Sequence, residues 1–525
     1  MENEKMEKIT AFPSGLPEIP KEKFAFASAR DFVHDKKLAT KPRSYMRDAM
    51  SRFCKNKGAI VGAVVILVLV LFAIIVPFFT QYTVSYNDTY FVSTLPKNKL
   101  FAKTPFWDGC EAREDGKITF VYYYAMGLET GHNAVKNQEY TETDGLYEYR
   151  LDSYHKTGMI YKNLSLAEYQ DLQAYQNRTG IQVIYPTVRL SDRPQAYQDQ
   201  NDANYYFKTT GTNRTQIVYD EDGNIIPVYW SYPEGMATDQ YDSLRIEGED
   251  GFEQNGTTYY YSYARTTSSG VECRVNYYEY YIYYHSQVLK DGITEPYFLL
   301  GTTGSGQDIL TCLASGARFS FLFSIIVALV NLLVGAIYGS IEGYYGGKTD
   351  LIMERFSDIL SAVPTMIVIT LLKLHMGGSS QALVLFLAFF LTGWIGMAST
   401  TRMQFYRYKK QEYVLAARTL GAKDRRIIMK HIFPNALGTL ITSCALVIPS
   451  MIYSETNLSY LGIINLSTGS VTSVGTLIAA GQSALSTSPH IALFPSIFLA
   501  LLMLSFNLFG NGLRDAFNPS LRGSD

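Results

Sequence analysis

The chain has 525 residues, 47% of them hydrophobic, with 46 basic and 48 acidic side chains and a net charge of −2. Its mean hydropathy is near zero, which excludes both a wholly soluble protein and a bare bundle of membrane spans and leaves a mixture of the two. The charge is segregated: Asp108 to Tyr297 holds 29 acidic against 15 basic side chains, about −14, so the remainder carries about +12. Such a split is expected when one part faces outward and the rest lines the cytoplasmic side of a membrane.

The stretch to Lys41 is polar and charged and has neither the apolar core nor the small-residue cleavage site of a secretory signal. Between Ser44 and Lys57, Met46, Ala49, Met50 and Phe53 recur at helical spacing with basic residues opposite. This predicts an amphipathic helix, lying on the inner leaflet or packed on a partner. Ala59 to Phe79 is uncharged and long enough to cross a bilayer. Its basic flank keeps residues 1–57 in the cytoplasm, and a first span over 58–80 delivers the chain beyond it to the outside.

Residues 81–297, with a core from about 108, contain no apolar run of spanning length and read as an inserted extracellular α+β domain. Alternation in KITFVYYY (117–124), in 216–230 and in 256–264 predicts strands, with Asp222-Gly223-Asn224 as a hairpin turn. Ser165 followed by Glu168 predicts a capping box opening a helix that runs to Gln176. The tyrosine-dense runs at 122–124 and 277–284 either form a binding face or fill strand faces. No HExxH, GxSxG or CxxC occurs, and His132, His155 and His285 are isolated, so neither a catalytic nor a metal site is expected. Cys110 and Cys273 lie near the two ends of this region, beside predicted strands. Because the ends of an inserted domain return to the membrane together, the pair is a candidate for a disulfide in an oxidising compartment.

The glycine-rich stretch Leu299 to Phe321 is followed by no Lys-Ser/Thr pair, so it is not read as a nucleotide loop. Apolar segments at 320–341, 358–372, 382–400, 436–453 and 491–509 add five spans to the first. Six spans put both termini in the cytoplasm. Gly335, Gly339 and Gly343 recur every four residues and predict close helix packing, while Pro364, Pro449 and Pro495 predict kinks. The basic segment Glu412 to Asn435 cannot sit in a bilayer, and its cations place it inside. It reads as two short helices, Tyr413 to Leu420 and Lys423 to Ile432, with Gly421 free to take positive φ at the joint and Pro434 ending the second.

Within that segment Glu412, Ala416, Ala417, Gly421, Ala422, His431 and Pro434 resemble the EAA coupling loop of ABC importer permeases, with Leu415 where that family usually carries glutamate. Leu299 to Phe321 is similar to the segment preceding the second span of dipeptide and oligopeptide permeases. Gly301, Thr302, Gly306, Asp308, Gly316, Ala317, Arg318 and Ser320 match, while Thr303 and Gln307 stand for an aspartate and an arginine. The likeness continues through GYYGGKTDLIMERFSDILSAVP, Glu455 to Gly462 and Asn507 to Gly523.

The resemblance implies a polytopic α-helical membrane protein of the type I ABC importer permease fold, with a permease core at 298–510 and a cytoplasmic tail at 511–525. It implies a C-type permease subunit in a bacterial cell membrane, taking up oligopeptides or dipeptides. The implied partners are a second, different permease subunit, two cytoplasmic ABC ATPase subunits docking on 412–435, and an extracellular peptide-binding protein, lipid-anchored or soluble. Besides membrane lipids no other partner is implied, and no nucleic acid. The chain itself is not an enzyme and binds no cofactor on this reading, since it has no Walker A sequence and ATP and Mg belong to the partner ATPases. A relative moving nickel chelates or another small solute, or a membrane-anchored receptor, are the alternatives.

Overall fold

The structure is a computed structural model describing residues 45–517, apart from 102–103, 194–198, 200, 212–215, 237–245, 247–250, 377–379 and 468–471. The polar N-terminal stretch and the last part of the Asn507 to Gly523 motif lie outside the described residues. Helix α1 (Tyr45–Lys55) turns Ala49 and Phe53 inward and leaves Met50 exposed. Phe53 meets Phe509 edge-on at 5.4 Å, so α1 packs on the last helix of its own chain. Asn56 accepts the Ala59 N–H at 3.2 Å and so caps α2 (Lys57–Phe79), the first apolar helix.

From β1 (Cys110–Gly116) the chain builds an α+β region. Helix α3 (Lys117–Thr130) leads to the strands β2 (Val135–Thr143), β3 (Leu146–Asp152) and β4 (Met159–Leu164), then to α4 (Leu166–Thr179). Short strands come next at β5 (Ile184–Tyr185), β6 (Thr209–Thr210), β7 (Gln216–Ile217), β8 (Ser231–Pro233) and β9 (Phe252–Gln254). The region closes with β10 (Thr257–Tyr261), β11 (Ala264–Thr267), β12 (Gly270–Asn276) and helix α5 (Tyr277–Tyr283). Among the described residues all pairing is antiparallel, in the orders β1-β3-β2, β8-β10-β9 and β11-β12-β4 with β5 also on β12, plus the β6-β7 pair. Ser165 and Glu168 form the reciprocal capping box at the start of α4. The Asp222-Gly223 turn is present too, with Tyr219 bridging Ile225 across it and Gly223 at φ 82°.

Two expectations for this region are corrected. KITFVYYY is the start of helix α3 and not a strand: Phe120, Val121, Ala125 and Met126 are buried around much of the helix, and the helix extends beyond the eight residues that alternate. Cys110 and Cys273 are free thiols, not a disulfide. They belong to different sheets, Cys110 standing opposite Asp152 on β3 and Cys273 between Ala264 and Lys162, so closeness of the domain's ends does not bring the two sulfurs together. The ends themselves meet at the backbone: the Lys97 N–H donates to Phe298 C=O at 3.1 Å. Of the described tyrosines, Tyr154, Tyr169, Tyr277 and Tyr281 are buried in the core, while Tyr122, Tyr123 and Tyr124 are half-buried.

The apolar bundle continues with α6 (Ile309–Tyr345), α7 (Gly347–Ser361), α8 (Thr365–His375) and α9 (Gln381–Tyr408). After α10 (Glu412–Thr419) come α11 (Asp424–Tyr460), α12 (Val474–Gln482) and α13 (His490–Phe517). Among the described residues five helices are long and apolar enough to cross a membrane, or six if the bent pair α7–α8 is one span. The span expected at 358–372, with its predicted kink at Pro364, falls across that pair, which bends by 70° at its break. Pro364 lacks an N–H and disfavours helical geometry in the residue before it, so the turn falls where the sequence places the proline. The glycine face of α6 packs on α9 as predicted. A Cβ on Gly339 would stand 2.1 Å from Ala398 C=O, and one on Gly335 or Gly343 would meet the α9 backbone at 2.7 or 2.8 Å.

Candidate functional site

The segment 412–435 packs against Tyr344 near the end of α6 and Phe405 near the end of α9, and is held by a small core of its own. Val414, Ile427 and Ile432 are fully buried against Phe405 and Tyr344. Each large aliphatic side chain so withdrawn from water contributes roughly 1.5 to 3 kcal/mol to holding the segment in place. Asp424 accepts a hydrogen bond from the Tyr344 hydroxyl at 2.5 Å, and Arg418 Nη2 donates to the same hydroxyl at 3.2 Å. Both halves of the segment are thereby tied to the end of α6.

Between the halves lies a complete Schellman turn. The Ala422 N–H donates to Ala417 C=O and the Gly421 N–H to Arg418 C=O, each at 3.0 Å, with Gly421 at φ 83°. Nothing lies within 4 Å of where a Gly421 Cβ would be, so the glycine is required by backbone conformation and not by space. The outward side carries Leu420 at 88% exposure, with Tyr413, Leu415, Ala416 and Met429 also exposed. Arg418, Lys423, Arg425, Arg426 and Lys430 stand around them, all exposed. The result is a cationic projection with an apolar tip. Glu412 begins α10, and His431 is half-buried.

Pro434 does not end the second helix, contrary to expectation. The chain turns through a π-helical stretch, Ile427–Ile432, and continues into the long helix from Phe433 with Pro434 in its first turn. A wider π turn relieves the clash that a proline ring makes with the carbonyl four residues earlier, so the helix survives.

An ion cluster that sequence reasoning missed braces the base of this projection. Arg402 donates from Nε to Asp350 at 2.6 Å and from Nη1 to Glu354 at 2.8 Å, and the Tyr406 hydroxyl donates to Asp350 at 2.6 Å. Glu342, buried, lies 3.6 Å from Arg402 Nε. The signal was available: Asp350 and Glu354 are four apart on α7, so they share one face of that helix.

The motif before α6 is a buried junction. Gly301 and Gly306 have φ 80° and 76°, and a Cβ on them would fall 2.4 Å from Thr94 C=O and 1.8 Å from Asp88 C=O. Thr302 Oγ1 donates to Phe91 C=O at 2.6 Å, and Asp308 caps α6 by accepting the Thr311 N–H at 2.9 Å. Gly316 lets the Ser473 backbone approach, while Arg318 is exposed where the apolar part of α6 begins. The structure therefore brings Gly301, Thr302, Gly306 and Asp308 together with residues 88–94, well apart along the chain from 412–435. Among the described residues no cluster suited to a metal ion occurs.

The chain matches the model of the binding-protein-dependent transport system inner membrane component over residues 331–523 and that of the N-terminal TM domain of oligopeptide transport permease C over 44–96. It is 42% identical to the oligopeptide transport system permease protein OppC of Bacillus subtilis over 222 residues, which is 42% of this chain and 72% of that protein. The chain belongs to the oligopeptide and dipeptide transport permease family. Further relatives include OppC of Haemophilus influenzae, 40% identical over 43% of this chain and 72% of that protein, and the dipeptide transport system permease protein DppC of Bacillus subtilis, 38% identical over 42% and 68%. It is accordingly a multi-pass membrane protein of the permease type. The matched segments contain α1, α2, the ion cluster and the 412–435 projection, whereas residues 97–330, with nearly all of the α+β region, fall between them.

Proposed function

We propose that this chain is the C-type permease subunit of an ABC importer for oligopeptides or dipeptides, with the 412–435 projection as its contact to a cytoplasmic ATPase. The observation that carries the reading is the projection itself: a rigid Schellman turn presents Leu420 and adjacent small residues, ringed by cations, on a segment braced by its own core. A partner with an acidic rim and an apolar cleft complements that surface. Transport by two ATPase sites calls for a second permease subunit, and the relatives' names point to peptide as the cargo. On this reading the α+β domain faces outward, where an extracellular peptide-binding protein delivers substrate, and both termini are cytoplasmic. ATP and Mg are held by the partner ATPases, so this chain transmits the work of hydrolysis and does not perform it. Purification of the intact complex from native membrane, with identification of its subunits and bound solute, tests the proposal. ABC ATPases, a second permease and peptide are expected; a complex without an ATPase would overturn it.

A further inference from the structure

Between the first span and β1 the chain forms a short loop whose apolar side chains point away from the protein. Leu100 is 87% exposed, Phe101 53% and Phe106 54%. Hydrogen bonds hold this arrangement: the Asn98 N–H donates to Trp107 C=O at 2.9 Å, the Phe101 N–H to Asn98 C=O at 3.0 Å, and the Trp107 N–H to Thr104 C=O at 3.2 Å. At its base Trp107 and Phe106 reach Phe494, in the second turn of the apolar helix α13, with ring centroids 5.8 and 6.4 Å apart. That helix exposes Leu493, Ile497, Leu501 and Leu504, a stripe that meets lipid in a membrane-spanning helix.

We infer that residues 98–101 and 104–107 form a loop seated in the bilayer, placing Leu100, Phe101 and Phe106 at the boundary between headgroups and acyl chains on the side of the inserted domain. Lipid is the occupant because the loop's apolar side continues the exposed stripe of α13 through Phe494. Its residue types also suit that depth: Trp107 is an amphipathic ring and Lys99, paired with Glu295, keeps its charge toward the polar side. The loop is joined to the far end of the inserted domain by the Lys97 N–H to Phe298 C=O bond. Lipid contact therefore fixes how the inserted domain stands on the membrane. The inference does not depend on the cargo, on the ATPase contact, or on which side of the membrane the domain faces.

A nitroxide on Leu100→Cys tests it, in the full chain within its complex in phosphatidylethanolamine–phosphatidylglycerol vesicles. Cys54→Ser removes the exposed native thiol, the other four being buried. Power-saturation EPR should show oxygen reaching the label more readily than a water-soluble nickel chelate, and the reverse for a label on Asp222→Cys in the exposed turn. Nickel access equal to that at Asp222 would overturn the inference. A label shielded from both reagents would overturn it too, by placing a protein partner on the loop. Should Leu100→Cys fail to assemble, Phe101→Cys gives the same reading.

Discussion

Arg402 grips Asp350 with two guanidinium nitrogens, Nε to Oδ1 at 2.6 Å and Nη2 to Oδ2 at 3.0 Å, while its remaining edge takes Glu354. This double fork locks α7 to α9. A lysine has no planar fork and can serve one carboxylate at a time.

Arg402→Leu should therefore destabilise the purified full-length protein by roughly 3 kcal/mol, because Asp350, Glu354 and Glu342 lose their shared counter-charge. Arg402→Lys should fall between it and the native protein. Adding Asp350→Asn to Arg402→Leu should recover part of the loss, and thermal unfolding in detergent measures all three. Additive losses in the double variant would show that the pair is not coupled.

The α+β region should weaken in acid through His155. Its ring stacks on His132 at 5.3 Å and lies against Tyr278 at 4.4 Å, and burial, with His132 and Lys97 near it, pushes its pKa down to about 3. The unfolded chain takes up this proton near pH 6.5 and the folded one only near 3. Stability is therefore full above about pH 6.5 and declines as pH falls, by at most about 1.4 kcal/mol per pH unit. Limited proteolysis of the full-length protein between pH 4 and 7 should show this slope, and His155→Gln should flatten it.

The cysteines should report reduced chemistry throughout. Burial pushes the thiols of Cys110 and Cys273 up to about 12, so neither forms thiolate readily, whereas Cys54 is exposed. Alkylation of native protein should modify Cys54, and denaturation without reductant should expose Cys110 and Cys273 as free thiols. A cross-linked peptide pair by mass spectrometry would contradict the structure.

Orientation is checked by labelling intact cells with an impermeant thiol reagent. Asp222→Cys in the inserted domain should react and Lys423→Cys in the projection should not. The reverse pattern would invert the topology.

Local signals in the sequence survived folding where they were self-contained. Ser165 with Glu168 makes its capping box, and Gly421 its left-handed turn, because each needs only neighbouring residues. The glycine stripe on α6 was legible for the same reason, one periodicity on one helix. What failed depended on distant partners. Lys117 to Tyr124 alternates like a strand, yet tertiary packing of Phe120 and Ala125 makes it helical. Pro434 reads as a stop until the π turn before it is seen. The cysteine pairing failed because sheet membership, unlike closeness of chain ends, is not written in spacing. The Arg402 cluster joins residues about fifty apart, and spacing along one helix does not name the partner on another.

The central claim is that 412–435 couples this permease to ATP hydrolysis, and Gly421→Val tests it most directly. A β-branched side chain at φ 83° strains the Schellman turn, and nothing lies within 4 Å of the Cβ it adds. In proteoliposomes containing the intact complex, native protein should show ATP-dependent peptide uptake with peptide-stimulated ATPase activity. Gly421→Val, assembled and inserted to the same level, should lose most of that uptake, and Gly421→Asn, which tolerates the left-handed conformation, should keep much of it. Undiminished coupled turnover in Gly421→Val would contradict the account.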